Sequence, residues 1–308
     1  MALAEERTGL PDRGAQGRIG PPDRRAVPRA ARHHALMPLS RVTAAIDGTR
    51  AGFEAARQAG RLVSPGGSVR LIAVADPYFA AMNTWAGQRL VSAEDVVKSG
   101  GEHLAKERLL ERAAEAVADG RRQVPDGVDV TGEVIEGATR DVLLEASRDT
   151  RVLVLGSHGG GRVSGLVLSS TATDMIRHAR SSVLVARPPF DEDDFPRSIA
   201  VAVDGSEPSL YALEVARQIE VAAGGRPQMR VVTAGRVPQG AVAPGPLGDI
   251  PVEQLRGRAH DAIAKVGEGV DLIVIGARGL KGAKALGSVS ERVAHKAASS
   301  VLVVRPHA

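Results

Sequence analysis

The sequence has no cysteine. That excludes thiol nucleophiles, disulfide staples and thiolate-held metals, and a cytoplasmic protein is expected. It is also poor in aromatics, which make up 2% of 308 residues. Single-strand nucleic-acid modules stack bases on aromatic rings, so that class is disfavoured, and the core has to come from Val, Leu, Ile and Ala. Charge of one sign is scarce as well. Lys and Arg number 40 against 36 Asp and Glu, and the basic residues form no stripe, so nucleic acid is not an expected partner. No apolar run approaches the roughly 20 residues that span a bilayer, so no membrane partner is expected.

The stretch Met1–Leu36 lacks hydrophobic periodicity and carries seven arginines against four acids. With no apolar central run it does not read as a secretory signal. It is expected to be an unstructured tail, or an extension ahead of a start at Met37.

What the chain does contain is an internal repeat. Ala44-Ala45-Ile46-Asp47-Gly48-Thr49 aligns with Ala202-Val203-Asp204-Gly205-Ser206 when Asp47 is set on Asp204. Val152–Gly159 aligns with Leu272–Gly279, and Ser181–Pro188 with Ser299–Pro306. Three blocks in one order indicate duplication. Asp47 and Asp204 lie 157 positions apart but Gly156 and Gly276 only 120, so the second copy is shorter by 37 residues between these landmarks. From Val183 to Val301 the offset is 118, so two more residues are missing after Gly276.

Short β-branched runs at 42–46, 69–75, 128–135, 151–155 and 182–186 alternate with helical stretches at 50–63, 93–119, 139–148 and 170–179. In the second copy, strands at 199–203, 229–234, 270–275 and 300–304 alternate with helices at 208–222, 252–266 and 288–298, with room for a stub strand. This alternation implies βαβ units, a parallel sheet and helices on both faces. The expected organisation is a tail (1–38), a first α/β domain (39–188), a solvated, proline-bounded linker (189–197) and a second, truncated α/β domain (198–308). Without a counterpart of the long helix at 93–119, one face of the second sheet should be less covered.

Ligands of open parallel sheets bind beyond the carboxyl ends of the strands. Two features converge there in each copy: the acid ending the first strand, Asp47 or Asp204, and a glycine loop after the fourth strand. The first loop runs from Gly156 through Gly159 to Ser169, Ser170 and Thr171. Glycines let backbone N–H groups approach a phosphate, and hydroxyls at the next helix start add donors. The loop is neither a Walker loop nor a Rossmann fingerprint. A tight turn without ligand explains the glycines equally well.

The order Asp-Gly-Ser/Thr, Gly-x-x-Gly, Gly-Ser and a terminal Val-Leu-Val-x-Arg strand resembles the universal stress protein family. The likeness runs from Arg41 to Pro306 and is strongest in Val203–Ser209 and Leu286–Val293. It implies tandem doubly wound, five-stranded domains of the adenine-nucleotide α-hydrolase kind that bind ATP. The family's nucleotide-binding members carry Gly-x-x-Gly, nine residues, then Gly-Ser or Gly-Thr. Carried over, Asp47 and Val74 would meet the adenosine, and Gly156, Gly159, Ser169, Ser170 and Thr171 the phosphates. The weaker second set is Asp204, Gly276, Gly279, Gly287 and Ser288.

Both copies depart from the pattern. Ser169 stands where the family has glycine, which is tolerable at negative φ and unfavourable at positive φ. In the second copy only seven residues separate Gly279 from Gly287, and Ala234 replaces Val74. The first copy is the expected ATP site. Mg²⁺ would arrive with the nucleotide rather than in a carboxylate cage. The resemblance also implies pairing of the last strands, 183–186 and 301–304, into an intramolecular pseudo-dimer, with a further homodimer left open.

His158, Arg162, Arg278, Lys281 and Lys284 read as solvated loop charges, and Asp76 as the end of its strand. No catalytic constellation stands out, so at most a weak ATPase is expected. The alternatives are an interaction module whose sites have decayed and, more distantly, an adenylating enzyme.

Overall fold

The computed structural model describes residues 39–77, 102–157, 168–191, 194–234, 252–277 and 289–306. The tail, residues 1–38, lies outside them. The described strands form one ten-stranded sheet. In chain order the first half contributes β1 (Arg41–Ile46), α1 (Arg50–Leu62), β2 (Ser68–Ala75), α2 (Glu102–Arg121), β3 (Asp129–Glu136), α3 (Thr139–Ala146), β4 (Val152–Gly156), α4 (Ser170–His178) and β5 (Ser182–Ala186). The second half contributes β6 (Ser198–Ala202), α5 (Glu207–Ala222), β7 (Gln228–Ala234), β8 (Val252–Leu255), α6 (Ala259–Val266), β9 (Leu272–Gly276), α7 (Val289–Lys296) and β10 (Ser300–Val304).

The strand order is β3-β2-β1-β4-β5-β10-β9-β6-β7-β8. Each half is parallel, and its order mirrors that of the other. The halves meet where β5 pairs antiparallel with β10, with Leu184 opposite Leu302. The carboxyl ends of the two parallel sets therefore point to opposite edges of the sheet.

The central strands are buried on both faces, which is why they read as unbroken apolar runs rather than alternating ones. Small residues do much of the packing: Ala55, Ala56 and Ala59 on α1 and Ala113 and Ala116 on α2 are all buried. α1, α2 and α5 share one apolar layer. α3, α4, α6 and α7 share the layer on the other face.

The two halves also correspond in details absent from the sequence blocks. Arg70 pairs with Glu133 between β2 and β3. Arg230 pairs with Glu253 at 3.3 Å between β7 and β8, and the registers make these the same positions. Gly137 and Gly257 follow β3 and β8 with φ of +144° and +103°.

Two expectations need correction. The stretch 252–266 is not one helix. Its first four residues form β8 against β7, and Gly257 at positive φ separates them from α6, because its backbone angle ends the extended run. Among the described residues the second half thus has five strands, and its shortening falls between β7 and β8, where residues 235–251 lie outside the described set. Nor is the linker fully solvated. Pro189, Phe195 and Pro196 are buried, and Phe195 joins the core on the α1 side. The buried Asp271 carboxylate accepts from Phe190 N at 3.1 Å, Arg197 N at 3.1 Å and Ser198 Oγ at 3.3 Å, holding both ends of the linker. The helix expected over 93–119 is described from Glu102 and runs to Arg121; 93–101 lie outside.

Candidate functional site

Strand β1 lies between β2 and β4, so Asp47, Val74 and Gly156 all fall at one carboxyl edge of the sheet. The equivalent edge in the second half, at the ends of β6, β7 and β9, holds a cleft of about 310 Å³. Its floor and walls include Val203, Val232, Ala234, Ile263 and Ile275. Its polar lining is Asp204, Ser206, Ser209 and Ser290, with Gly276 beside them. The cleft is half open and lined by polar and apolar groups in similar measure, with room for a small ligand. The first-half positions matching those walls are Ile46, Ile72, Val74, Leu143 and Leu155.

The acid of each half closes a turn. Asp47 Oδ1 accepts from Thr49 N at 3.0 Å and Thr49 Oγ1 at 2.6 Å. Asp204 Oδ1 accepts from Ser206 N at 3.0 Å and Ser206 Oγ at 2.5 Å. The residues between, Gly48 and Gly205, have φ of +77° and +81°, which side chains disfavour. The triad thus presents one carboxylate at a helix N-terminus with its orientation fixed.

Gly156 and Gly276 do a job the sequence did not disclose. A Cβ on Gly156 would stand 2.5 Å from the Ala51 carbonyl carbon; one on Gly276 would stand 2.5 Å from the Pro208 oxygen. Each glycine lets the fourth strand of its half touch the first turn of the first helix. Gly52 is similarly constrained, since its Cβ would meet Asp47 Oδ1 at 2.6 Å. The equivalent residue is Ser209, buried, whose Oγ accepts from Asp204 N at 3.3 Å and donates to Ser206 O at 2.8 Å.

Ser169 has φ −62° and ψ 152°, ordinary N-cap values, so its Cβ brings no strain. Its Oγ accepts from Ala172 N at 3.0 Å. Ser170 is exposed and Thr171 half-buried at the start of α4. Gly159, Gly279, Gly287 and Ser288, with His158, Arg162, Arg278, Lys281 and Lys284, lie outside the described residues.

Asp76 proves to be more than the end of β2. Its Oδ2 accepts from Thr139 N at 2.7 Å and Thr139 Oγ1 at 2.8 Å, capping α3 from another element. In the second half Ala259 replaces Thr139 and lines the cleft. An acid directly after strand two was a visible signal, but the partner 63 residues on was not. Among the described residues no group of three or more His, Asp or Glu is gathered as a metal site, and no helix is long and apolar enough to cross a membrane.

Fold and site together define an α/β protein of mostly parallel sheet, with a cleft at the strand carboxyl ends of its second half. The chain belongs to the universal stress protein family, whose model matches residues 38–187 and 230–305. A universal stress protein of Mycobacterium tuberculosis H37Rv is 30% identical over 164 residues, 48% of each chain. One from Mycolicibacterium smegmatis is 27% identical over 228 residues, 64% of this chain and 76% of its own. Against the first of these relatives the chain spans about half of their length. The crystal structure of an Archaeoglobus fulgidus universal stress protein aligns with TM-score 0.67 at 17% identity, covering 87% of this chain and 99% of that one. The family match omits residues 188–229, yet β6 and α5 there occupy the places of β1 and α1.

Proposed function

We propose that this chain is an ATP-binding regulatory protein of stress physiology, with little or no catalysis, whose two halves work as an intramolecular pseudo-dimer. The observation that carries the reading is the second-half cleft, where a turn-locked carboxylate, a helix start and a mixed polar and apolar lining converge. The first half sets Asp47, Val74 and Gly156 at the equivalent strand ends and locks Asp47 in the same turn. It also has the nine-residue spacing from Gly159 to Ser169, and Ser169 is unstrained. We therefore assign ATP, with Mg²⁺ carried on its phosphates, to the first half. The pseudo-dimer rests on the β5–β10 pairing and on arginines exchanged across it. Arg187 Nη2 donates to Ala294 O at 2.5 Å, and Arg305 Nη2 donates to Ile176 O.

A second reading, an interaction module without nucleotide, is favoured by one fact. The Asp-Gly-Thr/Ser turns and the glycines at 156 and 276 are each accounted for by packing alone.

The test is nucleotide release from freshly purified protein by denaturation and mass spectrometry, followed by ATP titration. Asp47→Ala and Asp204→Ala are the variants, because substitutions at Gly156 or Gly276 would disturb the helix contact itself. Wild type should release ATP, and Asp47→Ala should weaken binding about tenfold, the loss of one charge-assisted hydrogen bond. Asp204→Ala should have less effect. No nucleotide from wild type and no saturable titration would leave the interaction module.

A further inference from the structure

Helices α4 and α7 each begin at the candidate ligand edge of their own half and then meet across the β5–β10 seam. Their contacts are reciprocal in place but not in kind. From α4, Arg177 grips Glu291 of α7 with two parallel hydrogen bonds, Nε to Oε2 at 3.2 Å and Nη2 to Oε1 at 2.6 Å. The Glu291 side chain is 9% exposed, so this fork is sheltered on the acid side and fixed in direction. Glu291 follows Ser290, which lines the second-half cleft.

The matching contact in the other direction joins Thr173 Oγ1 and His295 Nε2 at 3.3 Å. Thr173 Oγ1 donates to Ser169 O at 3.0 Å, so the proton between threonine and histidine has to come from His295 Nε2. Ser169 is the N-cap of α4. Each helix C-terminal turn is also gripped by an arginine from the end of the other lobe's last strand, Arg187 on Ala294 O and Arg305 on Ile176 O.

The consequence is geometric. The first turn of α7 cannot shift without moving Glu291, and with it Arg177 on α4. The cap of α4 cannot shift without moving Thr173, and with it His295 on α7. The geometry points to coupling between the two ligand edges: order imposed on the first turn of α7 at Ser290 is passed to the first turn of α4 at Ser169, and the reverse. The inference rests on the reading that these edges take ligand. The carrier is the α4–α7 contact, and the coupling is a free energy felt equally from both ends.

The experiment is amide hydrogen exchange on the full chain, without ligand and with saturating ATP, for wild type, Arg177→Met, Glu291→Gln and the double variant. Without ligand, Arg177→Met should speed exchange of the hydrogen-bonded amides of α7 by about fivefold, and Glu291→Gln should do the same in α4. The double variant should be no worse than either single one, because one contact is lost in all three. Exchange in β2 (Ser68–Ala75) should stay unchanged, which separates this effect from global loosening. With ATP, wild type should gain protection in both helices and the variants only in the helix at the occupied edge. If each substitution loosens only its own helix, or loosens β2 as much, coupling is overturned. Cross-helix effects with no response to ATP would overturn the nucleotide reading and keep the coupling. A response to ATP confined to one helix in wild type would do the opposite.

Discussion

The two halves close the same opening turn and then stabilise the helix after it differently. In the first half Thr49 serves twice: its Oγ1 donates to Asp47 and also accepts from Gly52 N at 3.2 Å, capping α1. In the second half Ser206 donates to Asp204 but makes no side-chain cap bond to α5. There the helix start carries Glu207 and Pro208, an acid facing the positive end of the dipole and a residue with no N–H to satisfy. α1 has no acid in its first turn. The position after the turn follows suit, glycine at 52 and a buried, hydrogen-bonded serine at 209. The orphan donors of a helix start can be met by a cap or by charge and proline, and the fold accepts either. What it does not relax is the turn itself or the glycine that faces it.

That constancy gives the largest expected effect. Gly156→Val and Gly276→Val each push a side chain into helix backbone, at Ala51 and Pro208. Each should destabilise by about 3 kcal/mol or more, since the obstacle is main chain rather than a flexible side chain. Urea unfolding should show matching midpoint losses. A large loss in one half only would mean the two strand–helix contacts are not equivalent.

The seam sharpens the comparison next. Arg187 is 1% exposed, and burial pulls its guanidinium down to about 10, so it still carries charge at neutral pH. Its partners are carbonyls, Ser299 O at 3.2 Å and Ala294 O at 2.5 Å, with Gln58 Nε2 on its own carbonyl at 2.7 Å. Arg305 is less enclosed, and the position matching Gln58 is Val215. Arg187→Ala should cost about 3 kcal/mol through the cavity and the stranded carbonyls, and Arg305→Ala about half as much. Equal losses by calorimetry would show that burial does not set the difference.

Much of this was legible in the sequence, for reasons particular residues make plain. Runs such as Val152–Leu155 and Val301–Val304 are short, Val-rich and apolar without alternation, as a strand covered on both faces requires. β8 could be expected only as a stub without a place, because Val-Glu-Gln-Leu has no such run; it is an edge strand, defined by its pairing with β7 and by one glycine angle. Asp47 and Gly156 were legible as a pair, but their local reasons were not. The aspartate closes a turn on a hydroxyl two residues on, and the glycine makes room for a helix that started a hundred residues earlier. The Arg177–Glu291 fork, 114 positions apart, left no trace that spacing could reveal.

The smallest expected effect returns to the caps. Thr49→Ala removes both a donor to Asp47 and the acceptor for Gly52 N. Ser206→Ala removes only the donor to Asp204, because α5 starts without a side-chain cap. Thr49→Ala should cost about 1 kcal/mol, the usual value of an N-cap, and Ser206→Ala a few tenths. Urea midpoints resolve that gap if the two proteins share one slope. If Ser206→Ala costs as much as Thr49→Ala, the hydroxyl-to-carboxylate bond is what holds the turn. The aspartate would then matter to both halves as a structural clasp before any ligand arrives.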